Sequence, residues 1–155
     1  MKYITDSPLT RIYAIYPTVK GKAWFHDIPT TVVDSPLRFL SPIDLGLGLI
    51  LISYTDGSDT AFWKNLEGDE LQNMIQKELR AVFPTKHIPE PTYLNKHEWI
   101  QGCTYWKPGS YSLDDMVKQA HHPMKNLYIC GESVNPHQSW MESALESAER
   151  VQSLL

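Results

Sequence analysis

The chain has 155 residues, the size of one ordinary domain, and can bury about two-thirds of its unfolded surface. At 42% hydrophobic and 21% charged residues it reads as a folded protein rather than a disordered one. The net charge of −4 comes with no basic stripe, which argues against nucleic acid as a partner.

From the N-terminus, Met1 to Thr10 has no apolar run of signal-peptide type. Arg11 to Thr18 alternates and is rich in β-formers, so a strand is expected, closed by Pro17 and Gly21. Thr30 to Asp34 and Arg38 to Leu40 are short strand candidates between prolines. Leu47 to Thr55 is the clearest strand and ends at the turn Asp56-Gly57. The longest apolar stretch, Leu45 to Ile52, is too short to cross a membrane, so no membrane partner is expected. A short helix is expected over Asp59 to Leu66.

Asp69 to Phe83 predicts an amphipathic helix. Leu71, Met74, Ile75, Leu79, Val82 and Phe83 make one apolar stripe, and Pro84 ends it. Tyr93 to Ile100 reads as a strand and Trp106 to Ser112 as a turn. Ser112 and Asp115 have the spacing that caps a short helix. Leu127 to Cys130 predicts a short buried strand running into Gly131-Glu132. Ser139 and Glu142 predict a capping box for a last helix from about Trp140 to Leu155. Its inner face would carry Trp140, Ala144, Ser147, Ala148 and Val151.

Cys103 and Cys130 are too few for a disulfide framework and form no CxxC pair, so a reduced, cytoplasmic setting is expected. His121-His122 lacks an evident third ligand, and adjacent side chains diverge. The pair reads as solvated histidines, and no metal site is expected. Asp114-Asp115 reads as helix capping. Gly46-Leu47-Gly48 lacks a third glycine and leads into a strand, so it is rejected as a dinucleotide site.

Asn126 to Leu155 carries the chemistry. A strand, a Gly-Glu turn, a loop and a capped helix would present unpaired N–H groups and a partial positive charge to an electron-rich ligand. A glycine at the turn lets that ligand approach the backbone. Ile129-Cys130-Gly131-Glu132 and Trp140-Met141-Glu142-Ser143-Ala144-Leu145-Glu146-Ser147-Ala148 resemble the second FAD-binding motif of the flavin-containing amine oxidases. Trp99 with Gly109-Ser110-Tyr111-Ser112, and Gly102-Cys103-Thr104-Tyr105-Trp106, extend the likeness upstream. Trp24-Phe25, Ser41-Pro42-Ile43-Asp44 and Ser53-Tyr54-Thr55-Asp56-Gly57 resemble late substrate-domain strands.

The resemblance implies FAD as cofactor, with Gly131 and Glu132 at the ribityl and pyrophosphate, and Trp140 and Met141 at the flavin pyrimidine edge. Trp140 and Tyr105 would line the substrate. Trp106 and Tyr111 read as core, and Cys103 as a small buried hydrophobe rather than a flavin attachment point. Ser143 and Ala148 stand where the family usually carries glycines. The family's G-x-G-x-x-G unit is not in the sequence, and neither is its lysine near flavin N5; Lys20, Lys22 and Lys64 lack that context. No catalytic residue is therefore assigned.

The expected fold is α+β. Residues 1–108 would give part of a substrate-domain mixed sheet with flanking helices, and residues 109–155 the last strand–Gly-Glu–helix unit of an FAD domain. Three functional readings follow. The chain is a C-terminal fragment or truncated form of an amine oxidase, inactive alone. It is one chain of a split flavoenzyme, needing a separate FAD-binding chain or a second copy of itself. Or it is a non-catalytic binding protein on a degenerate oxidase scaffold.

Overall fold

The computed structural model describes residues 3–154. In chain order the elements are β1 (Ile4–Ile15), β2 (Thr31–Val32), β3 (Phe39–Asp44), β4 (Leu49–Asp56), α1 (Gly68–Val82), β5 (Tyr93–Trp106), α2 (Leu113–His121) and α3 (Met141–Gln152). Single 3-10 turns cover Gly57–Phe62 and Glu132–Val134. The five strands form one sheet in the order β2-β3-β4-β1-β5, so the class is α+β. The pairs β1–β4, β2–β3 and β3–β4 run antiparallel, where a mixed sheet was expected. The turn from Asp44 to Leu49 is too short for the crossover that a parallel pair needs.

The chain divides into two compact units, Pro8–Gly102 and Met1–Ser7 with Cys103–Leu155. In Pro8–Gly102 the alternation of β1 does what its pattern promises. Thr10, Ile12, Ala14 and Tyr16 are buried, while Arg11, Tyr13 and Ile15 stay partly exposed. Ile50 and Ile52 of β4 and Leu71, Ile75 and Leu79 of α1 close the same core over Trp63 and Phe25. Met74, Val82 and Phe83 pack at its margin, so the whole predicted stripe is used. The expected helix at Asp59 to Leu66 is only the 3-10 turn. The Trp63 indole leaves it to fill the core, with Nε1 donating to the Pro36 carbonyl at 3.0 Å.

Gly48, in the rejected Gly-x-Gly, sits in the β3–β4 turn at φ +74°, and a Cβ there would lie 2.2 Å from the Tyr16 carbonyl oxygen. Its own carbonyl accepts the Tyr16 N–H at 2.9 Å. Only glycine fits that approach. The Tyr16 phenol is buried without a hydrogen-bond partner. Burial, helped by the Glu90 charge, pushes its pKa far above the usual tyrosine range. Lys96 of β5 has a side chain only 4% exposed. Its Nζ donates to the Trp63 carbonyl at 3.0 Å and pairs with Glu67 at 3.0 Å and Glu98 at 3.1 Å. An ammonium has three protons, and these acceptors use them all.

The other unit is built differently. Among its described residues, the only buried apolar side chains are Val117 and Val134, beside the buried polar His121, Asn135, Ser143 and Ser147. α2 is capped as its spacing predicts, with the Asp115 N–H donating to Ser112 Oγ at 3.3 Å and Asp114 and Asp115 in the first turn. β5 runs on through Trp106, so the expected turn begins one residue later, where Lys107 N–H donates to the Tyr3 carbonyl.

Four expectations for this unit fail in whole or in part. Leu127 to Cys130 is not a strand. It makes one bridge between Met124 and Leu127 and one bond from Ile129 N–H to the His121 carbonyl. An apolar run becomes a strand only where a neighbour offers a ladder. Ser139 and Glu142 form no capping box. Ser139 has φ +69°, and the cap position of α3 falls on Trp140, with no side-chain cap. The expected inner face of α3 holds only in part: Ser147 is buried and Ala144 and Val151 are partly buried, but Ser143 joins them and Trp140 and Ala148 are exposed. Lastly, His121 is buried with Nε2 against the Val134 carbonyl at 3.0 Å, and only His122 is solvated, stacked on Tyr128.

Candidate functional site

The expected cofactor residues fall on one hydrogen-bonded assembly in the unit of Met1–Ser7 and Cys103–Leu155. Its centre is the Glu132 carboxylate. Thr104 Oγ1, from β5, donates to it at 3.0 Å, and the Ser139 N–H donates at 2.6 Å. Ser139 Oγ donates in turn to the Thr104 carbonyl at 2.9 Å. Three segments of the chain are thereby closed into a ring: the end of β5, the Gly-Glu turn and the entry to α3. The left-handed backbone at Ser139 aims both its N–H and its hydroxyl inward, at the expense of the predicted helix cap.

Gly131 is set by the same logic. Its φ of +147° suits glycine, and a Cβ there would meet nothing within 4 Å. The glycine is thus required by conformation and not by crowding, and one side of its Cα is open. Its N–H donates to Ser147 Oγ at 3.0 Å, tying the turn to the second turn of α3. Asn135, fully buried, holds the intervening loop. Its Nδ2 donates to the Ser143 carbonyl at 3.0 Å and its Oδ1 accepts the His137 N–H at 2.9 Å. Its carbonyl accepts Trp106 Nε1 at 3.0 Å. Ser143 points inward and donates to the His137 carbonyl, so its hydroxymethyl adds nothing to the exposed start of α3. The family's glycine at that position is therefore dispensable for access here.

Whether these residues fit a flavin is decided at the start of α3. A helix leaves its first N–H groups without intrahelical partners. The cap residue of α3, Trp140, makes no side-chain hydrogen bond to them. The flanking residues Trp140 and Met141 are 67% and 80% exposed. The donors lie beside a wide aromatic surface and carry the positive end of the helix dipole, which suits the carbonyl-rich pyrimidine edge of a flavin. Glu132 retains acceptor capacity beyond its two internal donors, because a carboxylate offers about four lone-pair sites. The donor set fits the group.

Tyr105 is 42% exposed and neighbours Thr104, whose carbonyl holds Ser139; Trp140 is the residue after Ser139. The two expected substrate-lining residues are therefore each one step from the same hydrogen bond. Cys103 is partly exposed rather than buried, and its thiol lies 3.4 Å from the Tyr105 hydroxyl. Trp106 and Tyr111, expected as core, are each partly buried. A separate apolar cavity of about 320 Å³, walled by Ile4, Trp106, Met116, Ile129 and Val134, contains none of the four cofactor residues. The sequence gives Ser139 only a helix-capping role and assigns none to Thr104 or Asn135. The only available signal was that polar residues recur inside an otherwise apolar motif.

Among the described residues no cluster could hold a metal ion, and no helix is long and apolar enough to cross a membrane. No curated protein matches this chain. The solved structure of cyclohexylamine oxidase from Brevibacterium oxydans IH-35A is similar in fold, with a TM-score of 0.67 at 14% identity. The match covers 99% of this chain and 36% of that one, so the present chain spans about a third of the relative's length. The sequence model of flavin containing amine oxidoreductases matches residues 9–151. By that match, over nearly its whole length, the chain belongs to the flavin-containing amine oxidoreductase family.

Proposed function

We propose that this chain supplies the flavin-pyrimidine-edge portion of an FAD-dependent amine oxidase. It would act together with a dinucleotide-binding segment whose G-x-G-x-x-G motif this sequence does not contain. The observation that carries the reading is the uncapped, exposed N-terminus of α3, anchored to β5 through Glu132, Ser139 and Thr104.

Bound flavin supplies the redox chemistry, accepting a hydride from the carbon that bears the amine. The residues of this chain bind and orient. The first N–H groups of α3, at Met141 and Glu142, hold the pyrimidine edge. Gly131 leaves room for the ribityl chain, and Glu132 accepts from its hydroxyls. Trp140 and Tyr105 give aromatic surface to a cationic amine. A split arrangement, with the dinucleotide-binding segment on a partner chain or on a second copy, draws support from the exposed Met124, Leu127, Met141 and Leu145 of this unit.

The test is a visible spectrum of the purified chain after adding FAD and removing the excess. Retained flavin bands that are lost in Gly131→Ala and Trp140→Ala support the reading. A wild-type chain that stays colourless alone, and also when mixed with an FAD-binding partner chain, sinks it. Amine-dependent peroxide production then reports activity.

A further inference from the structure

A second cavity, of about 330 Å³, lies within Pro8–Gly102, between the turn that follows β1 and the segment that follows α1. Three rigid rings wall it: Pro17, Pro89 and the Trp24 indole. Trp24 is fixed in turn by edge-on contacts with Tyr16, Phe25 and Phe83 at 5.6, 5.5 and 5.8 Å. The backbone on both sides is pinned. Val19 and Lys22 exchange N–H to carbonyl bonds of 2.9 and 3.1 Å across a tight turn, and Gln76 Nε2 of α1 donates to the Pro89 carbonyl at 2.8 Å. His26 is held as well, with Nδ1 against the Ala23 carbonyl at 3.0 Å. The cavity is thus formed before anything enters it, as small-molecule sites usually are, and its volume is near the lower end of their range of about 300–1,000 Å³.

Its charge is one-sided. Lys22 and His87 line it, both are exposed, and among the described residues neither side chain has an ion-pair partner. No carboxylate lines it. The acids of the surrounding segments are engaged elsewhere, Asp27 by Lys86 and Glu90 by Arg80 and Gln72. An ammonium brings three donors and an imidazole at least one, so an anionic head finds hydrogen bonds as well as charge. An aromatic wall alone would also attract a cation, but here the Lys22 ammonium repels one. The proline and indole rings favour a flat apolar body behind the head.

We propose that this cavity binds a small organic anion with a flat apolar body, its head on Lys22 and His87 and its body against Trp24, Pro17 and Pro89. None of the proposed cofactor or substrate residues lines it, so binding here needs neither flavin nor amine.

The experiment is an NMR titration of the full chain without flavin, following the Trp24 indole N–H and the His87 ring. Indole-3-acetate is the main probe. Indole-3-acetamide removes its charge, tryptamine reverses it, and inorganic phosphate has charge without a body. Saturable shifts with indole-3-acetate are expected, with at least about tenfold weaker binding of the amide, the usual scale of a charged hydrogen bond. Tryptamine and phosphate should both bind more weakly than the acid. The double variant Lys22→Gln with His87→Gln should lose about tenfold or more, and Lys64→Gln should bind as the wild type. The substituted side chains are exposed, so an unchanged amide spectrum away from the cavity will show that the variants fold. Amide or tryptamine binding as tight as the acid, phosphate binding as tight as the acid, wild-type binding by the double variant, or no saturable shift with any probe overturns the proposal. A chain that fails to retain FAD leaves all these readouts intact, so this proposal and the flavin reading fail separately.

Discussion

The two compact units are held by different means. Pro8–Gly102 buries a continuous apolar core in which a sheet and one amphipathic helix share their inner faces. Burial of that kind is non-directional, and each such side chain contributes on the order of 1.5–3 kcal/mol. The unit carrying Gly131 and Glu132 buries two valines and four polar residues among those described, and relies on side chain–backbone hydrogen bonds. Those bonds are modest in net strength but fix geometry, and each is costly to break once its partner is buried. A dense apolar core makes a scaffold. A polar net leaves apolar and aromatic side chains such as Trp140 and Met141 outside, free to meet a cofactor.

The sharpest way to break this contrast is Gly48→Ala. Both the left-handed backbone and the 2.2 Å approach to the Tyr16 carbonyl oppose it. A loss of about 3 kcal/mol or more is expected, read as a collapse of the apolar unit's thermal transition. If melting is unchanged, the apolar core is not what that turn closes. Next comes Asn135→Ala, which leaves the His137 N–H without its acceptor and removes the side-chain donor to the Ser143 carbonyl. It should cost about 1–3 kcal/mol, with faster amide exchange over residues 132–146 and unchanged protection of β1 and β4. Protection lost equally in both regions would mean that the two units do not respond independently.

Tyr16 probes the apolar unit by pH. Its folded pKa is raised, so folding holds a proton that the unfolded chain releases above about pH 10. The stability it contributes is complete below that pH and falls as pH rises beyond it. Tyr16→Phe removes a hydroxyl that has no partner, so neutral stability should hold within about 0.5 kcal/mol. The variant should outlast the wild type in melts above pH 10. The smallest effect is at Asp27, whose pKa is lowered by its hydrogen bond from Lys86. Its contribution is present above the unfolded carboxylate range near pH 3.9 and fades as pH falls below it. Asp27→Asn should flatten only the acid edge of the melting profile.

The same division governs what the sequence could tell. Periodicity reports burial, so α1 and β4 were legible to within about two residues, and β1 was found though it begins earlier than its alternation suggests. Where polar bonds organise the chain, periodicity has nothing to read. Ser139 looked like a helix cap and is a left-handed pivot, and Leu127 to Cys130 looked like a strand and has no ladder. The Gly-Glu turn was legible because glycine at φ +147° leaves a mark in the sequence. Thr104, as one hydroxyl among many, leaves none.

Lys96 gives the larger unit a built-in reporter. Its amine is enclosed by Glu67, Glu98 and the Trp63 carbonyl, while Lys20 and Lys22 are exposed. A neutral acylating reagent should therefore label the two turn lysines within its ordinary reaction time and leave Lys96 unmodified. The rate at which Lys96 is eventually labelled would clock the opening of the apolar unit, residue by residue in a mass spectrum, with no engineered probe.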